Sequence, residues 1–252
     1  MREIRTLAVV TRYANYRDND RMLTLFSREH GRMQAAIRGC RKPGSRLMAA
    51  SQLFCCGEYM LAKSKGRLSV RGCDIKDSFS YIADDIHAFG AASLMAGACE
   101  EAANEGEGNP RLFSLLVNCL NALNKKLANP LDLTVSFLIK LSDISGYRPF
   151  LEGCAVCGAE QGCRYFLPAA GGLVCDSCYK TEKGCSAISA KAIEAMELAL
   201  VTKNSLLHHV SYEKTVAKEL WRLMEEYVGF SFDKRLRASG FLKRTAFFTG
   251  NP

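Results

Sequence analysis

The stretch that decides the architecture begins with Cys154-Ala155-Val156-Cys157 and, seventeen residues later, ends with Cys175-Asp176-Ser177-Cys178. Each Cys-x-x-Cys closes a tight turn that directs two sulfur atoms to one point, and two such turns supply the four thiolates of a tetrahedral zinc site. Two disulfides or four buried thiols are the alternatives, but paired motifs at this separation favour zinc. Because four thiolates leave no open position for water or substrate, we predict one structural zinc ion without a catalytic role.

The residues between the two cysteine pairs predict a short β-hairpin, with residues 165–168 as one strand and residues 170–174 as the other. We expect the whole zinc element to occupy residues 150–185. Cys163 and Cys185 lie close by and either could replace a ligand, but neither has a partner at two-residue spacing, so we interpret both as ordinary thiols. A zinc deaminase is excluded, because the sequence has no His-x-Glu motif.

The length of 252 residues is sufficient for two or three domains with a proper hydrophobic core. The first ten residues carry charges and lack the apolar run of a signal peptide, and the longest uncharged run of apolar and small residues, 89–99, is too short to cross a bilayer. We therefore expect a soluble, cytoplasmic protein whose twelve cysteines are reduced. No P-loop, Ser/His/Asp set or carboxylate pair stands out, so we predict a binding protein and no enzyme.

The positive charge is concentrated in the N-terminal third of the chain. Residues 1–80 contain 16 Lys and Arg against 7 Asp and Glu, whereas residues 81–252 contain 18 against 19. Between His30 and Cys73 there are nine basic residues and a single acid, Glu58. A charge excess is usually only a solvated surface, but an excess confined to one segment more often marks a face that binds a polyanion.

Short apolar runs in residues 1–80 predict β-strands, because apolar and polar side chains alternate within them. Gly31 is the predicted positive-φ residue of the first hairpin turn, and residues 64–66 form the second turn. Five short strands within about eighty residues predict a small closed barrel of the OB fold. The predicted strands are residues 4–11, 22–26, 32–38, 53–63 and 67–75.

A cationic loop separates the two hairpins and reads Gly-Cys-Arg-Lys-Pro-Gly-Ser-Arg over residues 39–46. Arg67, Ser69 and Arg71 occupy outward positions of the last strand, so a phosphate backbone would meet positive charge along a groove. No aromatic residue occurs between Phe26 and Phe54, where the cations are dense. The predicted nucleic-acid-binding residues are Arg32, Arg38, Arg41, Lys42, Arg46, Lys63, Lys65, Arg67 and Arg71.

The remainder of the chain, residues 81–252, has helical periodicity apart from the zinc element. A first helix is predicted within residues 83–105. Asn109-Pro110 and Asn129-Pro130 each combine an N-cap residue with proline at the first helical position, and Ser189 is the predicted cap of a later helix. The second helix carries an apolar stripe of Leu112, Leu115, Leu116, Cys119, Leu120, Leu123 and Leu127. The predicted fold class is α+β: an N-terminal OB barrel (1–80) and an α-helical domain (81–252) with an inserted four-cysteine element.

These pieces, in this order, resemble the RecO family of bacterial recombination mediators over nearly the whole chain. The matching segments are Gly31-Arg32, the cationic loop with Leu47, residues 144–149 before the first cysteine pair, and residues 234–242 of the tail. Zinc ligands are not universal in that family, so the predicted metal depends on the cysteine spacing of this sequence.

The resemblance implies a protein that binds single- and double-stranded DNA and anneals complementary strands at the nucleoid. It also implies action with RecR and single-stranded DNA-binding protein, whose acidic tail would dock on the helical part, to load RecA during gap repair. Cations that neutralise phosphates without aromatics that stack bases suit annealing, because the pairing edges stay free. The alternative is a zinc-stabilised OB protein that binds structured RNA. A metal-dependent nuclease is the third and weakest alternative, because the sequence shows no cluster of carboxylates.

Overall fold

The computed structural model describes residues 2–232, so the family-like tail segment 234–242 lies outside the described residues. Five long strands come first, then three helices, a small cysteine-rich sheet and two further long helices. The strands are β1 (Arg2–Tyr16), β2 (Asp20–Ser27), β3 (Gly31–Ile37), β4 (Cys56–Ser64), β5 (Arg67–Asp77), β6 (Cys163–Leu167), β7 (Gly172–Cys175) and β8 (Ser186–Ala187). The helices are α1 (Ile86–Ala102), α2 (Pro110–Asn124), α3 (Pro130–Ile144), α4 (Asp176–Tyr179), α5 (Ala190–Val201) and α6 (Lys214–Ser231).

Strands β1 to β5 close into a barrel in the order β1-β2-β3-β5-β4, which confirms the predicted five-stranded OB architecture. All neighbouring pairs are antiparallel except β3 and β5, which run parallel. The barrel is filled by its inward alternate positions, as the strand periodicity requires. Fully or nearly fully buried members of this core include Ala8, Val10, Leu23, Leu25, Ala35, Ile37, Tyr59 and Leu61.

Strand β4 begins at Cys56, three residues later than the sequence pattern predicts. The residues before it form a 3-10 turn at Ala49–Ser51, and Phe54 has a left-handed φ of 66° that a strand does not allow. Phe54 adopts it because its ring packs edge-on against Phe89 of α1, with 5.7 Å between ring centroids. Cys55 and Cys56 then point to opposite sides, Cys55 into the barrel and Cys56 into the helical core.

The helices begin where the capping signals predict. The side chains of Asn109, Asn129 and Ser189 accept hydrogen bonds from backbone N–H groups in the first turns of α2, α3 and α5. Helix α1 is shorter than predicted because the Asp85 carboxylate caps its start at Ile86. Leu127 is also a correction: α2 ends at Asn124, and Leu127 lies beyond it with 49% of its surface exposed.

Helix α3 is the centre of the helical part, where residues 132–142 are all buried. It packs against α1, α2, α5 and α6, and the barrel joins the same core through Val9 and Phe26. The ring centroids of Phe26 and Phe113 of α2 are 6.0 Å apart. Barrel and helices are therefore packed through shared apolar side chains.

A second contact between barrel and helices surrounds the loop that follows α1. Gly31 has a φ of 62°, as predicted for the hairpin turn, and forms a β-bridge with Glu105. The backbone N–H of Gly106 donates to the His30 carbonyl at 3.1 Å. The Arg12 guanidinium is 3.2 Å from the carboxylate of Glu100, whose side chain is only 8% exposed. An ion pair and backbone hydrogen bonds thus hold one side of the barrel against the helical part.

Among residues 2–232, no helix combines the length and the apolar character that crossing a membrane requires.

Candidate metal centre and nucleic-acid interface

The two Cys-x-x-Cys turns bring four sulfur atoms together, those of Cys154, Cys157, Cys175 and Cys178. Their Sγ atoms all lie within 4.8 Å of one another, and those of Cys157 and Cys175 are 3.7 Å apart. A tetrahedral site with metal–sulfur bonds of about 2.3 Å separates its sulfur atoms by about 3.8 Å. The donor set and its spacing therefore fit a metal ion.

Backbone N–H groups around the cluster favour thiolate at two of the four cysteines. Burial alone would raise the pKa of Cys154, but N–H groups of Cys157, Cys175 and Val156 lower it to about 6. One of these donors is directly visible, since the Cys175 N–H lies 3.4 Å from Cys154 Sγ. The N–H group of Cys178 likewise lowers the pKa of Cys175. Such donors stabilise negative sulfur, the form that binds a metal.

The pKa of Cys178 is raised, first because its thiol proton is shared with Cys157 and then because of burial. Adjacent thiols resist simultaneous ionisation, since each new thiolate repels the previous one. A divalent cation at the centre would remove that repulsion and favour four thiolates.

The other two nearby cysteines stay outside the four-sulfur group, in agreement with their interpretation as ordinary thiols. Burial raises the pKa of both Cys163 and Cys185. The Cys163 thiol is 3.5 Å from the Ala159 carbonyl oxygen, its nearest hydrogen-bond acceptor.

The hairpin β6–β7 connects the cysteine cluster to the helical core, as the sequence predicts. Alternate residues face opposite sides, so Leu167 and Val174 pack on the cysteines, whereas Phe166 and Leu173 join the helical core. Phe166 meets the ring of Tyr227 in α6 edge-on at 5.3 Å. The cysteine cluster and the helical core thus lie on the two faces of one hairpin.

The cationic loop, residues 39–46, is held by hydrogen bonds against the β1–β2 turn and the first residue of β2. The Gly39 N–H donates to Asp20 Oδ1 at 2.8 Å, and the Arg41 N–H donates to the Asn19 carbonyl at 3.1 Å. Arg41 Nη1 also donates to the Asp18 carbonyl at 3.1 Å. Because Cys40 is fully buried in the barrel core, the loop presents its cations from a fixed backbone.

The strand cations collect at one end of the β4–β5 hairpin. Lys63, Lys65 and Arg67 are all exposed around its turn. The acids of the hairpin lie at the opposite end, where Glu58 pairs with Asp74 across the strands. The hairpin therefore has a positive end and a negative end.

The parallel pairing of β3 with β5 joins the loop cations to the strand cations. Ala36 pairs with Ser69, so β3, which leads into Arg38, is the neighbour of β5, which carries Arg71. Eight of the nine predicted cations are exposed, and we refer to them as the cationic surface. They are Arg38, Arg41, Lys42, Arg46, Lys63, Lys65, Arg67 and Arg71.

Arg32 is the ninth predicted cation, and the structure places it elsewhere. It is half-buried, and its Nη2 lies 3.2 Å from Glu105 Oε1 in the loop after α1. Its charge is used to hold the barrel to the helical part, because strand β3 begins at that contact. A sequence pattern based on local charge could not detect this partner 73 positions away.

Arg5 of β1 and Arg17 of the β1–β2 turn are exposed arginines outside the predicted set that adjoin it. The signal for Arg5 was its outward place in the alternation of β1. Arg5 pairs with Met60, which pairs with Gly72 beside Arg71. The turn that carries Arg17 is the one on which the cationic loop rests.

Two family models match the chain. "Recombination protein O N terminal" matches residues 1–79, and "Recombination protein O C terminal" matches residues 83–239. The chain belongs to the RecO family. This confirms the family resemblance seen in the sequence, and membership supports a role in DNA repair and recombination.

Curated relatives of this RecO-family chain match it almost end to end, and each is named DNA repair protein RecO. The relative from Acetivibrio thermocellus is 30% identical over 244 residues, 96% of this chain and 97% of its own. That from Desulfitobacterium hafniense is 34% identical over 251 residues, covering 97% and 91%. A relative from Caldanaerobacter subterraneus is 26% identical over 241 residues, covering 96% and 98%.

Proposed function

We propose that this RecO-family chain is a recombination mediator that binds single- and double-stranded DNA, anneals complementary strands and catalyses no covalent step. The observation that carries the proposal is the cationic surface, where eight exposed Lys and Arg lie on one part of an OB barrel. OB barrels bind oligonucleotides through strands 2 and 3 and the β1–β2 and β4–β5 loops. Both of those loops adjoin the cationic surface here.

Annealing would follow from neutralisation of phosphate charge. Two single strands repel each other through their backbones, and each Lys or Arg that contacts a phosphate releases condensed counterions. The exposed cations meet backbone charge along the barrel, while the edges of most bases remain available for pairing. A fixed loop lowers the ordering cost of these contacts, because its backbone is already hydrogen-bonded to the β1–β2 turn.

The metal at the four-cysteine cluster would be one structural zinc ion, held by Cys154, Cys157, Cys175 and Cys178. Zinc is favoured because four thiolates in a tetrahedral arrangement are its usual structural donor set. Its role there would be limited to holding the two Cys-x-x-Cys turns together, since the four sulfur atoms complete the coordination sphere.

The partners implied by the family are RecR and single-stranded DNA-binding protein, with RecA loaded indirectly at gaps in nucleoid DNA. The helical part would receive the acidic, phenylalanine-ended tail of single-stranded DNA-binding protein, which needs an apolar groove with Lys or Arg at its rim. A pull-down with both proteins from the same cell tests this assignment. Failure of the tail peptide to bind even at low salt would count against it.

The DNA-binding proposal is tested by reversing two charges of the cationic loop, Arg41→Glu with Lys42→Glu. We expect weaker binding to all DNA sequences and slower annealing, because both processes depend on the same neutralised phosphates. On single strands, the slope of log affinity against log salt should flatten by about 0.7 for each phosphate that the variant no longer neutralises.

The matched control is Lys125→Glu with Lys126→Glu, two adjacent exposed lysines at the end of α2. It changes the net charge by the same amount but lies outside the cationic surface, so its salt slope should equal that of the wild type. An unchanged slope in the Arg41 and Lys42 variant would contradict the proposal. It would indicate that these cations only keep the barrel soluble or face a protein partner.

A further inference from the structure

The β1–β2 turn supplies the aromatic group that the basic sequence segment lacks. Tyr16 ends β1 with 44% of its surface exposed. It pairs directly with Asp20 across the hairpin, and directly paired residues place their side chains on the same face about 5 Å apart. Asp20 Oδ1 accepts the Gly39 N–H of the cationic loop. Tyr16 therefore lies opposite the residue that holds the start of that loop.

The residues around Tyr16 carry a net positive charge. The turn contributes Arg17 and Asp18, β2 begins with Asp20 and Arg21, and Arg38 with the adjoining loop adds the cations at positions 38, 41, 42 and 46 without an acid. Asp20 is occupied by the Gly39 N–H. A negatively charged backbone can approach this turn because the cations outnumber the acids.

The ring of Tyr16 differs from that of its neighbour Tyr13 in what covers it. The Arg21 guanidinium lies 3.9 Å from the centroid of the half-buried Tyr13 ring. That guanidinium is fixed by the Ser51 carbonyl at 2.9 Å and the Ser51 hydroxyl at 3.1 Å. Tyr13 is thus a packed residue, whereas the cation near the Tyr16 ring is the exposed Arg17, at 5.2 Å.

Arg17 occupies a backbone position that favours glycine. Its φ is 57°, in the left-handed region that is strained for an ordinary residue. Residues kept in that region despite the strain often serve a ligand. Here the retained side chain is a cation within cation–π distance of an exposed aromatic ring.

We propose that Tyr16 is a stacking platform for one unpaired nucleobase, with Arg17 beside it to contact the adjoining phosphate. The proposal rests on the DNA-binding function proposed above and adds a contact of a different chemical kind. Every base has a π-face, so the site is indifferent to sequence. A base inside a duplex is already stacked on both sides, so the platform acts on single strands and single-strand ends.

The test is a comparison of Tyr16→Ala with the wild type on a thymidine oligonucleotide, which cannot pair with itself, and on a duplex of the same length. Fluorescence anisotropy at several salt concentrations measures both affinities. We expect single-strand affinity to fall roughly 5- to 150-fold, the range for one stacked base. The salt slope and the duplex affinity should stay unchanged, because every cation that meets a phosphate is retained.

Tyr81→Ala is the matched control, since Tyr81 is even more exposed at 63% but lies in the 3-10 helix Ser80–Asp84 against α2. It should bind the oligonucleotide like the wild type. Tyr16→Phe should also keep the affinity, because it retains the aromatic face. Arg17→Gly suits the backbone φ and should keep thermal stability while flattening the single-strand salt slope.

Tyr16→Trp adds a direct signal for stacking. The only other tryptophan, Trp221, is buried with 2% of its surface exposed, so quenching upon oligonucleotide binding would come from position 16. Normal single-strand affinity in Tyr16→Ala, or an equal loss on the duplex, would overturn the stacking site alone. A wild type that binds neither DNA would overturn the proposed DNA-binding function itself.

Discussion

Asp132 is a carboxylate enclosed in the first turn of α3, with only 9% of its surface exposed. Its Oδ2 accepts the Tyr212 N–H at 3.4 Å, and the Tyr212 hydroxyl in turn bonds the Ser136 hydroxyl at 2.7 Å. Burial raises the pKa of Asp132, and the Tyr212 N–H offsets only part of that effect. The carboxylate therefore anchors the chain before α6, but keeping it charged in a buried position lowers the stability of the folded protein.

The direction in which stability changes with pH follows from the thermodynamic linkage between protonation and folding. A carboxyl group with a higher pKa in the folded chain binds protons more tightly when folded, so stability falls as pH rises through that pKa. The cost is present above the folded-state pKa and disappears as pH falls below the ordinary value of 3.8. We expect Asp132→Asn, which retains an oxygen for the Tyr212 N–H, to raise the unfolding temperature near pH 7.

Thermal unfolding of wild type and Asp132→Asn at several pH values checks this prediction. The difference between the two proteins should shrink steadily from pH 7 towards pH 4, as the wild-type carboxyl becomes protonated. A variant less stable than the wild type near pH 7 would show that the charge itself stabilises the fold.

At the scale of elements, the hairpin β6–β7 is too small to be stable alone. The apolar core on the side of the cysteine cluster consists of Cys154, Leu167, Val174 and Cys175, and so small a core requires another source of stability. Metal coordination is that source where folding and binding are coupled. The opposite face packs Phe166 on Tyr227, so loss of metal should also loosen α6.

We therefore expect Cys157→Ser to lose the metal and to lower both solubility and unfolding temperature, because the site and the hairpin form together. Metal content per chain, measured by elemental analysis, and thermal unfolding check this outcome. Cys163→Ser is the matched control, since Cys163 also lies in the element but outside the four-sulfur group. Full zinc occupancy in Cys157→Ser would remove the assignment.

At the scale of the whole molecule, two backbones meet closely where the turn after β2 contacts the loop before α2. A Cβ atom added to Gly108 would lie 2.5 Å from the Glu29 carbonyl oxygen and 2.6 Å from that of Arg28. The same region contains the Arg12–Glu100 and Arg32–Glu105 ion pairs. Gly108 thus allows the barrel and the helices to approach at one edge of their contact.

We expect Gly108→Ala to destabilise the protein by about 1–3 kcal/mol, the usual cost of overpacking, seen as an unfolding temperature several degrees lower. Gly97→Ala is its control, because Gly97 lies in α1 and an added Cβ meets nothing within 4 Å. That change should leave stability equal or raise it by about 0.5–1 kcal/mol, since alanine favours helix. Equal stability of Gly108→Ala and wild type would contradict the close approach.

The features that the sequence alone determined are those set by neighbouring residues. Asn109, Asn129 and Ser189 start helices because a cap bonds N–H groups two or three positions away. Strand alternation predicted the barrel for the same reason, since an inward face must be apolar along each strand. The Cys-x-x-Cys turns are equally local, and the short hairpin between them brings the two pairs together.

Tertiary structure decided the features that depend on distant partners. Phe54 interrupts the strand pattern and its ring packs against Phe89, and Arg32 forms an ion pair with Glu105. Tyr16 pairs with Asp20, which in turn holds Gly39 at the start of the cationic loop. Charge density and periodicity are properties of one segment, whereas these contacts join segments whose meeting is set by strand register and core packing.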